Sequence, residues 1–138
     1  MRSILRMMTL LYIGAIFVLA DSPMAKDLSR FNPYSLLHIP LYGMLSLLLI
    51  LSFPSSPKTP STHPGISLAQ IRISEKRAFF RAGIIALVIG MADEIYQSYL
   101  PSRNASVMDL FLDFLGIVLA LFILYYFLKI RNRKTQKA

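Results

Sequence analysis

The residues best suited to chemistry are few and clustered. Asp93, Glu94 and Gln97 stand together, Arg103 and Ser106 follow, Asp109 and Asp113 end the run, and His38 and Tyr42 lie far upstream. Carboxylates crowded beside an imidazole can trade protons as general acid and base, with His38 and Glu94 as the candidate catalytic pair, or hold a divalent cation. Arg103 suits a phosphate or carboxylate, which its planar fork grips with two hydrogen bonds. Cys is absent, so no thiolate takes part and no disulfide framework exists. Ser106 with His38 as its base is a conceivable nucleophile. Ser106 followed by Asp109 is also an S-x-x-D helix start, which explains the serine more simply.

These polar groups sit in a very apolar chain. Of 138 residues 55% are hydrophobic and only 16% are charged, against about 25% charged in soluble domains. Mean hydropathy is +0.55. Such a composition excludes a disordered chain and argues against a soluble globule. A helix crossing a bilayer needs about 20 mostly apolar residues. Four stretches meet that need, at approximately 4–20, 35–53, 82–99 and 108–128. Backbone groups in lipid must bond internally, so these are helices. The expected fold is all-α, an integral membrane four-helix bundle forming a single membrane domain over residues 1–138. Arg2, Arg6 and the stretch ending Val18-Leu19-Ala20 also fit a secretory signal; a retained first helix is the expectation.

Charge gives the orientation. Arg2 and Arg6 precede the first span; Lys58, Arg72, Lys76, Arg77 and Arg81 lie in the 54–81 connection; Lys129, Arg131, Arg133, Lys134 and Lys137 fill the 129–138 tail. Only Lys26, Arg30 and Arg103 fall on the other side. The positive-inside rule then places both termini and the long connection in the cytoplasm of a multi-pass cytoplasmic-membrane protein. The connection begins Pro- and Ser-rich, and residues 66–81 read as a basic interfacial segment with Phe79 and Phe80 at headgroup level. A basic excess sorted by membrane side, with no stacking platform, excludes nucleic acid as the partner.

The acids gather at the opposite, external ends of the last two spans, level with His38. Gly83, Ala86, Gly90, Asp93 and Gln97 recur at helical steps on one face of the third span, and Asp109, Asp113, Gly116 and Ala120 do so on the fourth. The simplest packing sets these two faces together across the turn at residues 100–107. Ionisable groups inside spans are rare and mark functional sites by default. Plainer roles stand beside that one: Asp109 as a helix-terminal acid, and Asp93 and Glu94 as ion-pair partners of Arg103 or Arg30.

The run Asp93-Glu94-Ile95-Tyr96-Gln97, continued by Pro101, Arg103, Ser106 and Asp109, closely resembles the VanZ-like signature D-E-x-x-Q-x-x-x-P-x-R-x-x-S-x-x-D. His38 and Tyr42 are similar to the H-x-x-x-Y opening of that family's second span. The resemblance covers most of residues 32–120. The chain departs from the pattern at Tyr96, where many members have His, at Ser102, where Gly is common, and at Asp113, where Asn is common. The resemblance implies a small bacterial envelope protein associated with glycopeptide antibiotic resistance. Its carried-over binding set is His38, Tyr42, Asp93, Glu94, Gln97, Arg103, Ser106 and Asp109, with Asp113 as a variant position.

The expected function is a VanZ-like membrane protein whose extracytoplasmic polar pocket engages an envelope lipid, a cell-wall precursor or a lipophilic glycopeptide, contributing to antibiotic tolerance. The alternative is a membrane-embedded enzyme acting on a lipid-linked envelope substrate through His38 and Glu94. A proton- or ion-coupled transporter ranks last, since the inner halves of the spans show no polar relay. Membrane lipids are the expected partners. No cofactor is expected beyond a divalent cation that the acidic cluster could hold.

Overall fold

A computed structural model describes residues 2–23, 27, 36–53, 68–101 and 105–135. Among the described residues the fold is all-α, with four helices: α1 (Arg2–Ala20), α2 (His38–Ser52), α3 (Leu68–Ser98) and α4 (Val107–Thr135). Their ends follow local chemistry. Phe53 after α2 is extended, φ −71° and ψ 146°, as steric conflict with the ring of Pro54 favours. At the end of α3 the amides of Tyr99 and Leu100 donate to the carbonyls of Tyr96 and Gln97, at 3.0 and 3.1 Å, just before Pro101. At the start of α4 the Met108 amide donates to Ser106 Oγ at 3.1 Å. Ser106 therefore does cap the helix, as its sequence context suggests.

Two helices are long and apolar enough to cross a bilayer, Ser3–Ala20 in α1 and Val107–Ile130 in α4. The apolar helix α2 has only 15 residues, about 22 Å of rise, short of a bilayer core of about 30 Å. The basic segment expected as a separate element is the first half of α3, which runs unbroken for 31 residues. On it Lys76, Arg77, Phe80 and Arg81 line an open groove. Phe79 is half-buried and packs edge-on against Tyr125, ring centroids 6.2 Å apart, whereas Phe80 is exposed.

Helix α2 is the hub. It packs on all three others and most extensively on α4, while α1 touches α2 and α3 but not α4. Consecutive helices alternate in direction: Thr9 meets Ser52, Tyr42 meets Asp93, and Gly83 meets Leu121. The chain thus has a basic end, carrying Arg6, Lys76–Arg81 and Lys129, and an acidic end, carrying Asp93, Glu94, Asp109 and Asp113. The apolar core between them is Ile16, Tyr42, Leu45, Leu49, Ala82, Ala86 and Ile117.

The small-residue faces of α3 and α4 do meet, Gly90 against Asp113, but the Gly116 part of the α4 face goes to α2 instead. A methyl group on Gly116 of α4 would strike the backbone of Ile39 in α2, coming within 2.8 Å of its Cα and closer still to its carbonyl oxygen. The close backbone approach is therefore between α2 and α4, helices separated in sequence by all of α3. On α3 the buried row is Ala82, Ala86, Gly90, Asp93 and Gln97, with Ala82 where Gly83 was expected.

At the basic end, Thr9 and Ser52 share a hydrogen bond of 2.8 Å between α1 and α2. Two hydroxyl protons serve three contacts: one hydroxyl donates across to the other, which in turn donates to its own helix, Thr9 Oγ1 to the Leu5 carbonyl or Ser52 Oγ to that of Leu48. Arg6 Nε donates to the Ser52 carbonyl at 3.4 Å, so this cation bonds one of the free carbonyls at the end of α2.

Candidate functional site

The acidic end is built from three helices. The first turn of α2 supplies His38, and the next turn supplies Tyr42, whose ring stacks 6.2 Å from the imidazole at 11°. The last turns of α3 supply Asp93, Glu94 and Gln97; the first turns of α4 supply Asp109 and Asp113. Tyr42 and Asp113 are fully buried, and Asp93, Gln97 and Glu94 are 2%, 3% and 7% exposed.

Each buried acid has a defined donor. Tyr42 OH donates to Asp93 Oδ2 at 3.1 Å, and Gln97 Nε2 donates to the same oxygen at 3.0 Å. The Ser106 backbone amide donates to Glu94 Oε2 at 2.8 Å. His38 Nδ1 lies 2.7 Å from Asp113 Oδ1. An ionised Asp113 can only accept, so in that pairing Nδ1 carries a proton, and in the neutral imidazole Nε2 keeps the lone pair.

The demands on these donors are not all met. Glu94 Oε1 and Asp113 Oδ2 are buried with no hydrogen-bond partner among the described residues. Gly90 makes room for the second of them. A Cβ there would lie 2.9 Å from Asp113 Oδ2 and 3.3 Å from Tyr42 Cε1. His38, Glu94 and Asp109 each bring one potential ligand atom within 4.8 Å of the other two.

Most residues expected at the site thus converge: His38, Tyr42, Asp93, Glu94, Gln97, Ser106, Asp109 and Asp113. Arg103 lies outside the described residues, as does Arg30, its alternative as an ion-pair partner. Glu94, left out of the face read for α3 although it stands four residues after Gly90 and three before Gln97, is buried too and accepts from the Ser106 amide. Sequence reasoning set His38 level with the acids without pairing it to Asp113. Helix depth was the signal for that pair, because both residues stand in the opening turns of their helices at the same end. Tyr96, where the resemblance usually has His, points elsewhere: its ring meets Phe17 of α1 at 5.8 Å, edge-on.

Comparison with known proteins agrees with this architecture. No curated protein and no solved structure matches the chain. The family model described as VanZ/LLP1 matches residues 9–129, a stretch that takes in all of α2 and α3, most of α1 and α4, and the whole acidic cluster. The chain therefore belongs to the VanZ/LLP1 family.

Proposed function

We propose that this chain is a multi-pass bacterial cytoplasmic-membrane protein, both termini inside, whose acidic end faces outward and engages an envelope lipid headgroup, cell-wall precursor or lipophilic glycopeptide. The observation that carries the reading is the cluster of three hydrogen-bonded sets, Tyr42–Asp93–Gln97, Glu94–Ser106 and His38–Asp113, at one end of an apolar bundle. Taking so many polar groups out of water costs several kcal/mol per ion when left uncompensated (about that order). Such groups in a membrane helix are kept where they meet a ligand or pathway. The exposed apolar side chains of α1 and α4, among them Leu10, Val18, Phe122 and Phe127, suit a lipid-facing belt. The groove of Lys76, Arg77, Phe80 and Arg81 suits the headgroups of the inner leaflet.

Native mass spectrometry of the detergent-purified protein tests this directly. One envelope lipid or lipid-linked precursor should stay bound, and Asp113→Asn or Glu94→Gln should release it with helicity unchanged. Cells relying on those variants should lose glycopeptide tolerance. Orientation is open to an independent check. The chain has no Cys, so a cysteine placed at Ala105 should label from outside and one at Lys137 only after permeabilisation.

The enzymatic reading rests on one specific observation, the 2.7 Å contact of His38 Nδ1 with Asp113. That is a base held by an orienting carboxylate, with its other nitrogen available to take a proton from a substrate hydroxyl or water. Turnover of a lipid-linked precursor by purified protein, lost in His38→Gln, would favour it over simple binding.

A further inference from the structure

We propose that His38, Glu94 and Asp109 bind one divalent transition-metal ion of the zinc type, with Asp113 as a positioning residue. The site deepens the envelope-ligand reading but stands on its own geometry. Three helix ends supply the ligands, from positions 38, 94 and 109, and their candidate atoms lie within 4.8 Å of one another. Ligands about 2.1 Å from a tetrahedral ion sit about 3.4 Å apart. Closing from 4.8 Å requires about 0.7 Å of movement at each of two side-chain tips, within reach of χ rotation.

Two features distinguish this cluster from a chance gathering of acids. The first is the state of His38. Its Nδ1 is committed to Asp113 Oδ1 at 2.7 Å, and Asp113 is fully buried. That leaves Nε2 as the ligating atom, fixed in tautomer and ring orientation, which is the usual arrangement of carboxylate, imidazole and metal. The second is Glu94. More than nine-tenths buried, it is held through Oε2 by the Ser106 amide at 2.8 Å, yet its Oε1 has no hydrogen-bond partner among the described residues. A carboxylate oxygen in that position lacks a proton donor or a cation.

Charge agrees. His38 is the one basic group among the described residues of the acidic end, facing Asp93, Glu94, Asp109 and Asp113; the described Arg and Lys side chains are all at the other end. One nitrogen and two carboxylate oxygens form a three-ligand set that leaves a coordination position open. An anionic headgroup oxygen could fill that position, which gives an acidic cluster a means of holding a phosphate or carboxylate that it would otherwise repel.

The test uses full-length protein in detergent, without a histidine tag, stripped with chelator and then titrated with Co²⁺ and Zn²⁺. One equivalent of Co²⁺ should give the visible bands of a four-coordinate ion, and Zn²⁺ should displace it. Affinity should fall at least 100-fold in His38→Gln, Glu94→Gln and Asp109→Asn. It should fall about 10- to 100-fold in Asp113→Asn, which keeps the ligands but loosens the imidazole. His63→Ala, in the connection, should bind as the parent does. Where a variant loses helicity, the parent protein still decides, because Zn²⁺ must shift the Nε2 resonance of His38 in ¹⁵N-histidine spectra. A folded parent that takes up no Co²⁺ at millimolar concentration overturns the site, as does undiminished binding by folded Glu94→Gln. Lipid retention measured on the same samples separates the two ideas. Lipid held without metal overturns this site alone, and metal held without lipid overturns the envelope reading alone.

Discussion

Replacing Gly116 by Ala probes the link between helix packing and the site. The added Cβ would stand 2.8 Å from Ile39 Cα and 2.9 Å from its carbonyl carbon. Carbon atoms rest about 3.5–4.0 Å apart, so α2 and α4 must separate by about 0.7 Å or more. The obstacle is backbone, which cannot turn aside as a side-chain tip can. Ile39 adjoins His38, and Gly116 lies one turn beyond Asp113. The same separation stretches the His38–Asp113 contact from 2.7 Å to about 3.4 Å, long for an N–H···O bond and much weaker. Overpacking costs about 1–3 kcal/mol, and a hydrogen bond to a charged group contributes about 1.5–3 kcal/mol. The two losses share one movement and do not add fully. About 3 kcal/mol in total is expected, about 10 °C in melting temperature for a chain of this size.

Thermal melts in detergent measure the first effect and ¹⁵N-histidine spectra the second. The chain has only two histidines, so the His38 signals can be assigned by deleting His63. Gly116→Ala should lower the melt and move the His38 Nδ1 and Nε2 shifts toward a free imidazole. Gly14→Ala is the matched control, since nothing lies within 4 Å of a Cβ there. It should be neutral or stabilising by up to about 1 kcal/mol, the helix preference for Ala over Gly. An unchanged imidazole spectrum in a destabilised Gly116→Ala protein would refute the proposed coupling, and an unchanged melt would refute the close approach itself.

Three further substitutions separate neighbouring contacts. Tyr42→Phe removes one of two donors to Asp93 Oδ2 and leaves Gln97; a loss of about 1–3 kcal/mol in thermal or denaturant unfolding is expected. Ser106→Ala deletes the cap on α4 but keeps the amide to Glu94, for a cost of about 1 kcal/mol. Ser106→Pro deletes that amide as well and should cost about 1.5–3 kcal/mol more; equal melts for the two would mean the Glu94 contact contributes nothing. Thr9→Val breaks the α1–α2 hydrogen bond at the basic end, for about 0.6 kcal/mol by the average for such bonds in membranes, and should leave the His38 spectrum untouched.

Much of this was legible in the residues, and the failures have physical causes. Apolar run length marked the four described helices, though not that the third begins at Leu68, and helical phase gave the buried row Ala86, Gly90, Asp93 and Gln97, because a face is a property of one helix. The partner of a face is not. Adjacency in the chain suggested α3 for the Gly116 face, yet a glycine accepts any backbone that reaches it, and Ile39 of α2 does. Pairing of His38 with Asp113 spans 75 positions and needs the α2–α4 crossing to be known. Glu94 was left off the buried face although its phase puts it there, four residues after Gly90 and three before Gln97, and the Ser106 amide holds it in place. The Thr9–Ser52 bond went unread since hydroxyls in apolar helices usually satisfy themselves on their own backbone, as either of these two can. Equal depth in neighbouring spans was the available clue.

The donors to the acids have a consequence for how function and fold are joined. Asp93 is held by Tyr42 of α2, Glu94 by the leading edge of α4, and Asp113 of α4 by His38 of α2. The three contacts tie α2, α3 and α4 together at one end only. Helix α1 takes no part in them; it is joined to α2 at the other end through Thr9 and Ser52, and through Tyr12 OH to the Leu41 carbonyl at 3.0 Å. Loosening the acidic end therefore frees three helix ends at once while the α1–α2 pair stays closed. A ligand or ion bound among His38, Glu94 and Asp109 would draw the same three ends together, so occupancy and rigidity should rise in step at that end alone. Hydrogen exchange would register this as protection confined to the amides at the acidic ends of α2, α3 and α4 (residues 38–42, 93–98 and 107–113), with those of α1 unchanged.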